Sequence, residues 1–211
     1  MKGNAANRNE LDSDFRHSTH YHKYFQGYTE IKVLQPNGKY KIERFYTAPW
    51  KQHALEDKQR RKVKAQYLLL TAVGIFIYVM ALMMAVSSNF TRIAAIPGMA
   101  TVVGLILSAA TAVSYAAKPV RMTLWDYKSS SHKIQSVTKW TAIGIGVTMA
   151  AKLFSILVYG TQSIAGEIFS QLLLAGAAGT FLWIHTTEKD MEYENIPNET
   201  ELPQEGGNEI W

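Results

Sequence analysis

The chain has 211 residues, of which 47% are hydrophobic, and it carries a net charge of +5 without a single cysteine. The lack of cysteine excludes disulfides, thiolate metal sites, a cysteine nucleophile and iron–sulfur clusters. A mean hydropathy of −0.08 is typical of a soluble domain, but the apolar residues are concentrated between Ala65 and Thr187. The sequence therefore predicts an integral membrane protein with polar ends.

Charge is unevenly distributed along the chain. Residues 1–64 have a net charge of +7, residues 65–187 a net charge of +5, and residues 188–211 a net charge of −7. Most of the positive charge flanks apolar segments, where it is typical of membrane topology rather than of nucleic-acid binding. We therefore expect the lipid bilayer to be a partner, and no nucleic acid.

Residues 1–64 are predicted to form a cytoplasmic tail with a β-hairpin near residues 29–46. Two alternating runs flank an Asn37-Gly38 pair, which is a strong signal for a two-residue hairpin turn. This turn would place Val33 opposite Ile42 on one face of the hairpin. The same register would place Lys32 opposite Glu43 on the other face.

An isolated two-stranded hairpin is marginally stable in water, so this one needs a partner. We expect a cytoplasmic recognition surface that includes Val33, Ile42, Tyr28 and Trp50. The tail also has three closely spaced histidines, for which a solvated stretch is favoured over a metal site because no carboxylate or cysteine stands at ligand spacing. No metal or cofactor is expected. The three histidines are His17, His20 and His22.

The central part of the chain contains four apolar segments, each about as long as the 20 residues that cross a bilayer as a helix. They predict an all-α domain over residues 65–187, built as two antiparallel helical hairpins. No signal peptide is expected, because the first apolar run follows 64 polar residues. The predicted spans are residues 65–86, 93–117, 137–159 and 163–185.

The basic residues near the span ends predict the orientation. Five of the seven residues 58–64 are basic, and residues 118–139 contain five more. The connections on the opposite side contain only Arg92. Because cytoplasmic loops carry the excess of lysine and arginine, we expect both termini to be cytoplasmic. Residues 119–139 are expected to form a connecting loop or a segment at the lipid interface.

Small residues recur at four-residue spacing along the second span. Gly104, Ser108 and Ala112 form one stripe, which permits close helix packing in lipid. Packing within one four-helix bundle is the favoured interpretation. The alternative is a contact with a second copy or with another subunit of a membrane complex.

Two charged residues interrupt the third and fourth spans. Lys152 and Glu167 fall nearly level across the tight connection, and Gln171 lies one turn beyond Glu167. We expect Lys152 to lie between these two side chains. A buried ion pair that fixes the hairpin register is favoured, and a proton- or ion-handling site is the alternative.

Residues 188–211 are acidic and contain two prolines, so a disordered C-terminal tail is predicted. No phosphate-binding loop, zinc-protease motif or nucleophile-elbow motif occurs in the chain, and an enzyme is not expected. The leading hypothesis is a non-enzymatic four-span subunit or scaffold that acts through its cytoplasmic tails. The alternative is a small oligomeric transporter or channel that uses Lys152 and Glu167.

Overall fold

The computed structural model describes residues 24–34 and 40–199. Within that part of the chain, the contacts separate two compact units. One unit comprises the described residues up to Gln52 with Arg121–Tyr127 and the residues from Tyr193 onward, and it carries the strands. The other comprises His53–Val120 and Lys128–Glu192, and it carries nearly all of the helical structure. The three N-terminal histidines lie outside the described residues.

The second unit is built from four helices that are long and apolar enough to cross a membrane. This confirms the four apolar helices predicted from the sequence. The first begins about two turns before its apolar run, so the basic residues 58–64 are helical. A 3₁₀ helix, Ser87–Phe90, lies between the first two. The helices are α1 Asp57–Met83, α2 Arg92–Ala117, α3 Leu124–Tyr159 and α4 Ile164–Lys189.

The third helix is longer than predicted, because it begins at Leu124. The prediction of a connecting loop over residues 119–139 is therefore wrong for residues 124–139, which are helical. Thr123 explains the early start, because its hydroxyl accepts from the backbone N–H of Asp126 at 3.1 Å. It also donates to the Asp126 carboxylate at 2.9 Å. This reciprocal arrangement resembles a capping box, which initiates a helix by satisfying its free N–H groups.

The buried residues of α3 and α4 recur in alternating steps of three and four. A mean spacing of 3.5 residues is the repeat of left-handed coiled-coil packing, so one stripe of each helix stays inside the bundle. The α3 stripe is mostly polar, whereas residues such as Met83 and Leu157 are 76% and 83% exposed. The stripes are Ser131, Ile134, Thr138, Thr141, Ile145, Thr148, Lys152 and Ser155 in α3, and Glu167, Ser170, Leu174, Ala177, Phe181, Ile184 and Glu188 in α4.

Helix α1 packs along both α2 and α4. The approach to α4 is closest at Gly74, where a Cβ would stand 2.3 Å from Thr180 Oγ1 and 2.9 Å from the Phe181 ring. Phe181 is fully buried and belongs to the main core cluster with Tyr78 and Leu174. A glycine at this point is therefore required for the two helices to touch.

The first unit contains the predicted hairpin, formed by the antiparallel strands β1 Tyr28–Leu34 and β2 Tyr40–Tyr46. The predicted register is wrong by one residue, because Val33 pairs with Lys41 and Ile42 pairs with Lys32. The observed register places Glu30 opposite Arg44, and these side chains form an ion pair at 2.9 Å. A one-residue shift would move every side chain of one strand to the other face and break this pair.

The strands are joined by residues 35–39, so the predicted Asn37-Gly38 turn lies outside the described residues. A second sheet has three strands, in the order β4 Arg121–Met122, β3 Trp50–His53 and β5 Tyr193–Ile196. The predicted disorder of residues 188–211 is therefore wrong up to residue 199. Strand β5 gains order from its tertiary partners, which include Tyr127 with its ring 4.8 Å from that of Tyr193.

Candidate functional site

Lys152 lies near the C-terminal end of the mostly polar stripe of α3 and is fully buried. Its ammonium donates to the hydroxyl of Ser170 on α4 at 2.5 Å. That hydroxyl in turn donates to the carbonyl of Ala81 on α1 at 3.2 Å. The lysine is therefore held by a short chain of hydrogen bonds that connects three helices.

Glu167 lies in the first turn of α4 and is 3% exposed. Its carboxylate accepts from the backbone N–H of Ser88 at 2.9 Å and from the Ser88 hydroxyl at 2.5 Å. Thr161 donates a longer hydrogen bond of 3.4 Å. The N-terminal turn of a helix also favours a negative charge. Glu167 thus fixes the 3₁₀ helix between α1 and α2 to the start of α4.

The predicted direct contact between Lys152 and Glu167 is wrong. Among the described residues no ion pair joins them, although the carboxylate lies within Coulombic range of the ammonium. Ser170, one turn further along α4, is the residue that meets Lys152. Sequence spacing in the α3–α4 hairpin could not show that the connection between α1 and α2 would supply Ser88 as the partner of Glu167.

Among the described residues Gln171 forms no hydrogen bond with Lys152, so the predicted three-residue polar cluster is not formed by hydrogen bonds. Its side-chain amide donates to the carbonyl of Met149 at 3.3 Å, and its Oε1 atom is buried without a hydrogen-bond partner in the described chain. Glu167 and Gln171 line a groove of about 420 Å³ between α3 and α4. The other groove residues are apolar apart from Thr161, and they include Leu153, Ile164, Ile168 and Leu172.

A small cavity of about 150 Å³ adjoins Lys152 on its other side. Thr148 and Gly98 line it, together with Asn89 from the 3₁₀ helix. The Asn89 amide donates to the carbonyls that end α1, at distances between 2.9 and 3.1 Å. Its Oδ1 atom is buried without a partner among the described residues. Lys152 and Asn89 are thus the charged and the amide residue among those that line the cavity.

The predicted small-residue stripe of α2 faces the inside of the bundle. A Cβ on Gly104 would stand 3.0 Å from Thr141 Oγ1 of α3. Ser108 bonds to the same Thr141 hydroxyl at 2.9 Å, and Ala112 belongs to a buried cluster with Tyr67. Two further hydroxyl pairs connect α2 or its N-cap to α3. They are Thr101–Thr148 at 3.2 Å and Thr91–Ser155 at 2.8 Å.

A second buried carboxylate, Glu188, was missed because its local sequence is that of an acidic tail. Glu188 is 3% exposed at the last turn of α4. It accepts from the Tyr67 hydroxyl at 3.0 Å and from the Ser131 hydroxyl. One signal was available, because Glu188 and Glu167 fall on the same seven-residue repeat of the α4 stripe.

The predicted recognition residues of the first unit contact one another or lie within its strands. The Tyr46 ring packs against Tyr28 at 5.2 Å and Trp50 at 4.7 Å between centroids. Tyr46 is 7% exposed, and burial raises the pKa of its hydroxyl. Val33 belongs to β1 and Ile42 to β2. The rings of Tyr28 and Trp50 are half-buried, and both pack against the buried Tyr46 ring.

Comparison of the chain with protein-family models, curated proteins and solved structures finds no match. In the part of the chain that the structure describes, no group of three or more His, Asp or Glu residues is placed to hold a metal ion.

Proposed function

We propose that this chain is a non-enzymatic membrane protein with four membrane-crossing helices, and that it acts as a subunit or scaffold. The observation that carries the proposal is that each buried charged side chain forms hydrogen bonds to a different segment of the bundle. Glu167 binds Ser88, Lys152 binds Ser170, and Glu188 binds Tyr67 and Ser131. Charged groups inside a membrane bundle are costly, and here their hydrogen bonds join helices to one another.

Partner contacts are assigned to the parts of the chain outside the bundle, above all to the strand unit. Among the described residues the hairpin is a sheet of two strands, so each strand has an outer edge of backbone groups that no other described strand pairs with. Such an edge can bind an extended segment of another protein by adding a strand. The Glu30–Arg44 ion pair stabilises the register of the two strands. The register in turn determines which side chains an added strand would meet.

We further propose that both termini are cytoplasmic. In the bundle the beginning of α1, the end of α2 and the end of α4 lie at one end, because Arg60 contacts Pro119 and Tyr67 contacts Glu188. This is the end at which the basic residues collect. The excess of lysine and arginine favours the cytoplasmic side.

A transporter or channel that works through Lys152 and Glu167 is the second candidate. The cavity beside Lys152 favours it, because it is lined by this lysine and by Asn89, whose Oδ1 atom is buried without a partner among the described residues. Three features favour the scaffold: the cavity measures only about 150 Å³, the carboxylate of Glu167 is bound by Ser88, and the groove beside Glu167 is mostly apolar. Four helices are also few for a transport path within one chain.

Two measurements on the full chain test the choice. In proteoliposomes, a pH-gradient dye assay should show no proton flux above that of empty liposomes. Flux that disappears in Lys152→Met would overturn the scaffold proposal. Purification from native membranes in mild detergent should yield a co-purifying protein in a fixed ratio. That partner should be lost in Ile31→Asp, which changes a buried residue of β1, and kept in Thr29→Asp, which changes an exposed one.

A further inference from the structure

A basic cavity of about 190 Å³ lies where α1 begins and α2 ends. Four of its lining residues are basic and one is acidic, so the lining carries an excess of positive charge. The cavity opens between the first turns of α1 and the chain that leaves α2. Its lining residues are Asp57, Arg60, Arg61, Lys64, Lys118, Pro119 and Val120.

Two of the basic side chains are held in place by the end of α2. Arg60 is 6% exposed and donates from one terminal nitrogen to the carbonyls of Lys118 and Pro119. Lys64 donates to the carbonyls of Ala116 and Lys118 at 3.0 and 2.5 Å. The Ala116 carbonyl belongs to the last turn of α2, where a helix leaves carbonyls without partners, and the other two follow directly after it. The positive groups are therefore positioned before any ligand arrives.

Three of the four basic residues of this cavity belong to the first turns of α1. Arg60, Arg61 and Lys64 form no ion pair with any residue that the structure describes. Burial of an arginine without a counter-charge is costly. The positive charge also affects the neighbouring His53, whose pKa is lowered to about 4 by burial and by the charges of Arg60 and Lys64.

The position of the cavity along the helices indicates its ligand. The apolar run of α1 starts at Ala65 and that of α2 ends at Ala117, so the cavity lies at the edge of the apolar segments. Lipid headgroups occupy that level in a bilayer, and basic pockets beside transmembrane helices bind anionic headgroups. Arginine and lysine are also the side chains that bind phosphate oxygens best.

We propose that this cavity binds the phosphate of an anionic phospholipid. Arg61 and Lys118 supply further positive charge, while Arg60 and Lys64 supply oriented donors. The bound phosphate adds negative charge beside this excess of basic residues, and it joins the beginning of α1 to the end of α2. This inference rests on the proposed insertion of the four helices in a membrane.

The test uses the full chain in mild detergent and native mass spectrometry. The probes are phosphatidylglycerol and phosphatidylcholine with identical acyl chains. We expect phosphatidylglycerol to be retained at least about fivefold more strongly, since one basic residue near an anionic lipid contributes about that factor. Arg61→Gln should weaken this retention about fivefold. Arg61 is exposed and forms no hydrogen bond to a described residue, so its replacement should leave the fold unchanged.

Lys62→Gln is the matched control, because Lys62 is the next basic residue of α1, is exposed, and does not line the cavity. It should weaken retention by less than about twofold, through the general surface charge alone. Equal retention of the two lipids, or equal losses in Arg61→Gln and Lys62→Gln, would overturn the proposal. Titration with inorganic phosphate at ionic strength matched by chloride checks the source. Phosphate binding without a preference for phosphatidylglycerol would assign the cavity to a soluble anion instead.

Alkaline washing of native membranes separates this inference from the proposed function. If the washed membranes release the protein, the membrane proposal itself fails. If the protein stays in the membranes and yet shows no preference for phosphatidylglycerol, only the phosphate site fails.

Discussion

Tyr67 of α1 donates its phenolic hydroxyl to the buried carboxylate of Glu188 at 3.0 Å, which connects the first helix to the last turn of the fourth. The Ser131 hydroxyl donates to the other oxygen of the same carboxylate. A helix C-terminus disfavours a negative charge, and these two hydroxyl donors stabilise the Glu188 carboxylate against that effect. The contact therefore joins the first helix of the bundle to the end of its last helix.

Removal of the Tyr67 donor should therefore destabilise the bundle. We expect Tyr67→Phe to lower the free energy of unfolding by about 1.5–3 kcal/mol, the range for a hydrogen bond to a charged group. Thermal unfolding in detergent measures the effect. Glu194→Gln is the control, because Glu194 is exposed on β5, and it should change stability by less than about 0.5 kcal/mol. A Tyr67→Phe protein as stable as the parent would show that this contact contributes nothing.

The separate partners of Lys152 and Glu167 predict additive mutations. Glu167→Ala should cost about 1.5–3 kcal/mol, because it leaves the backbone N–H and hydroxyl of Ser88 without their acceptor. Lys152→Met should cost less, since replacing a buried charge by an apolar side chain of similar volume is often neutral. In the double variant the two effects should add apart from the longer-range attraction of the two charges, which we expect to contribute less than about 1 kcal/mol. Chemical unfolding of the four proteins gives the coupling energy, and a rescue in the double variant would indicate a direct ion pair.

The close approach of α1 and α4 predicts a steric effect at Gly74. Gly74→Ala places a methyl group 2.3 Å from Thr180 Oγ1 and 2.9 Å from the Phe181 ring, so the helices must separate. We expect a loss of about 1–3 kcal/mol, the usual cost of overpacking. Gly176→Ala is matched to it, because nothing lies within 4 Å of its Cβ. That change should be neutral or stabilise by up to about 1 kcal/mol through helix propensity. Equal thermal stability of the two variants would contradict the packing.

His53 predicts a dependence of stability on pH. Its pKa is lowered from 6.5 to about 4 in the folded protein, so between these values unfolding takes up a proton. The contribution of His53 is fully present above pH 6.5 and declines as the pH falls toward 4, by about 3 kcal/mol at most. In its neutral form, Nδ1 of the ring accepts from the Leu55 backbone N–H at 3.4 Å.

Unfolding temperatures between pH 7.5 and pH 4.5 measure this effect. His53→Gln should flatten the decline, because glutamine does not take up a proton in this range. His132→Gln is the control, since His132 is exposed on α3, and it should keep the slope of the parent. Parallel slopes for all three proteins would show that His53 does not titrate on unfolding.

The sequence by itself predicted the features that depend on local composition. Apolar runs of about 20 residues determine where helices can cross a bilayer, and all four were found. The hairpin was likewise predicted from alternating residues around Asn37-Gly38, and the strands formed. The early start of α3 also has a local signal, the Thr123–Asp126 capping pattern. It was missed because residues 128–139 are largely polar and predict a loop instead.

Only the tertiary structure decided the partners. Lys152 bonds to Ser170 and Glu167 bonds to Ser88, instead of forming the expected pair with each other. Hydrogen bonds form between the donors and acceptors that the packing of the helices brings within about 3 Å. Strand β5 forms because it pairs with the edge of β3 that β4 does not occupy. Spacing along one chain segment determines which face a residue occupies, whereas its contact depends on segments that are distant in the sequence.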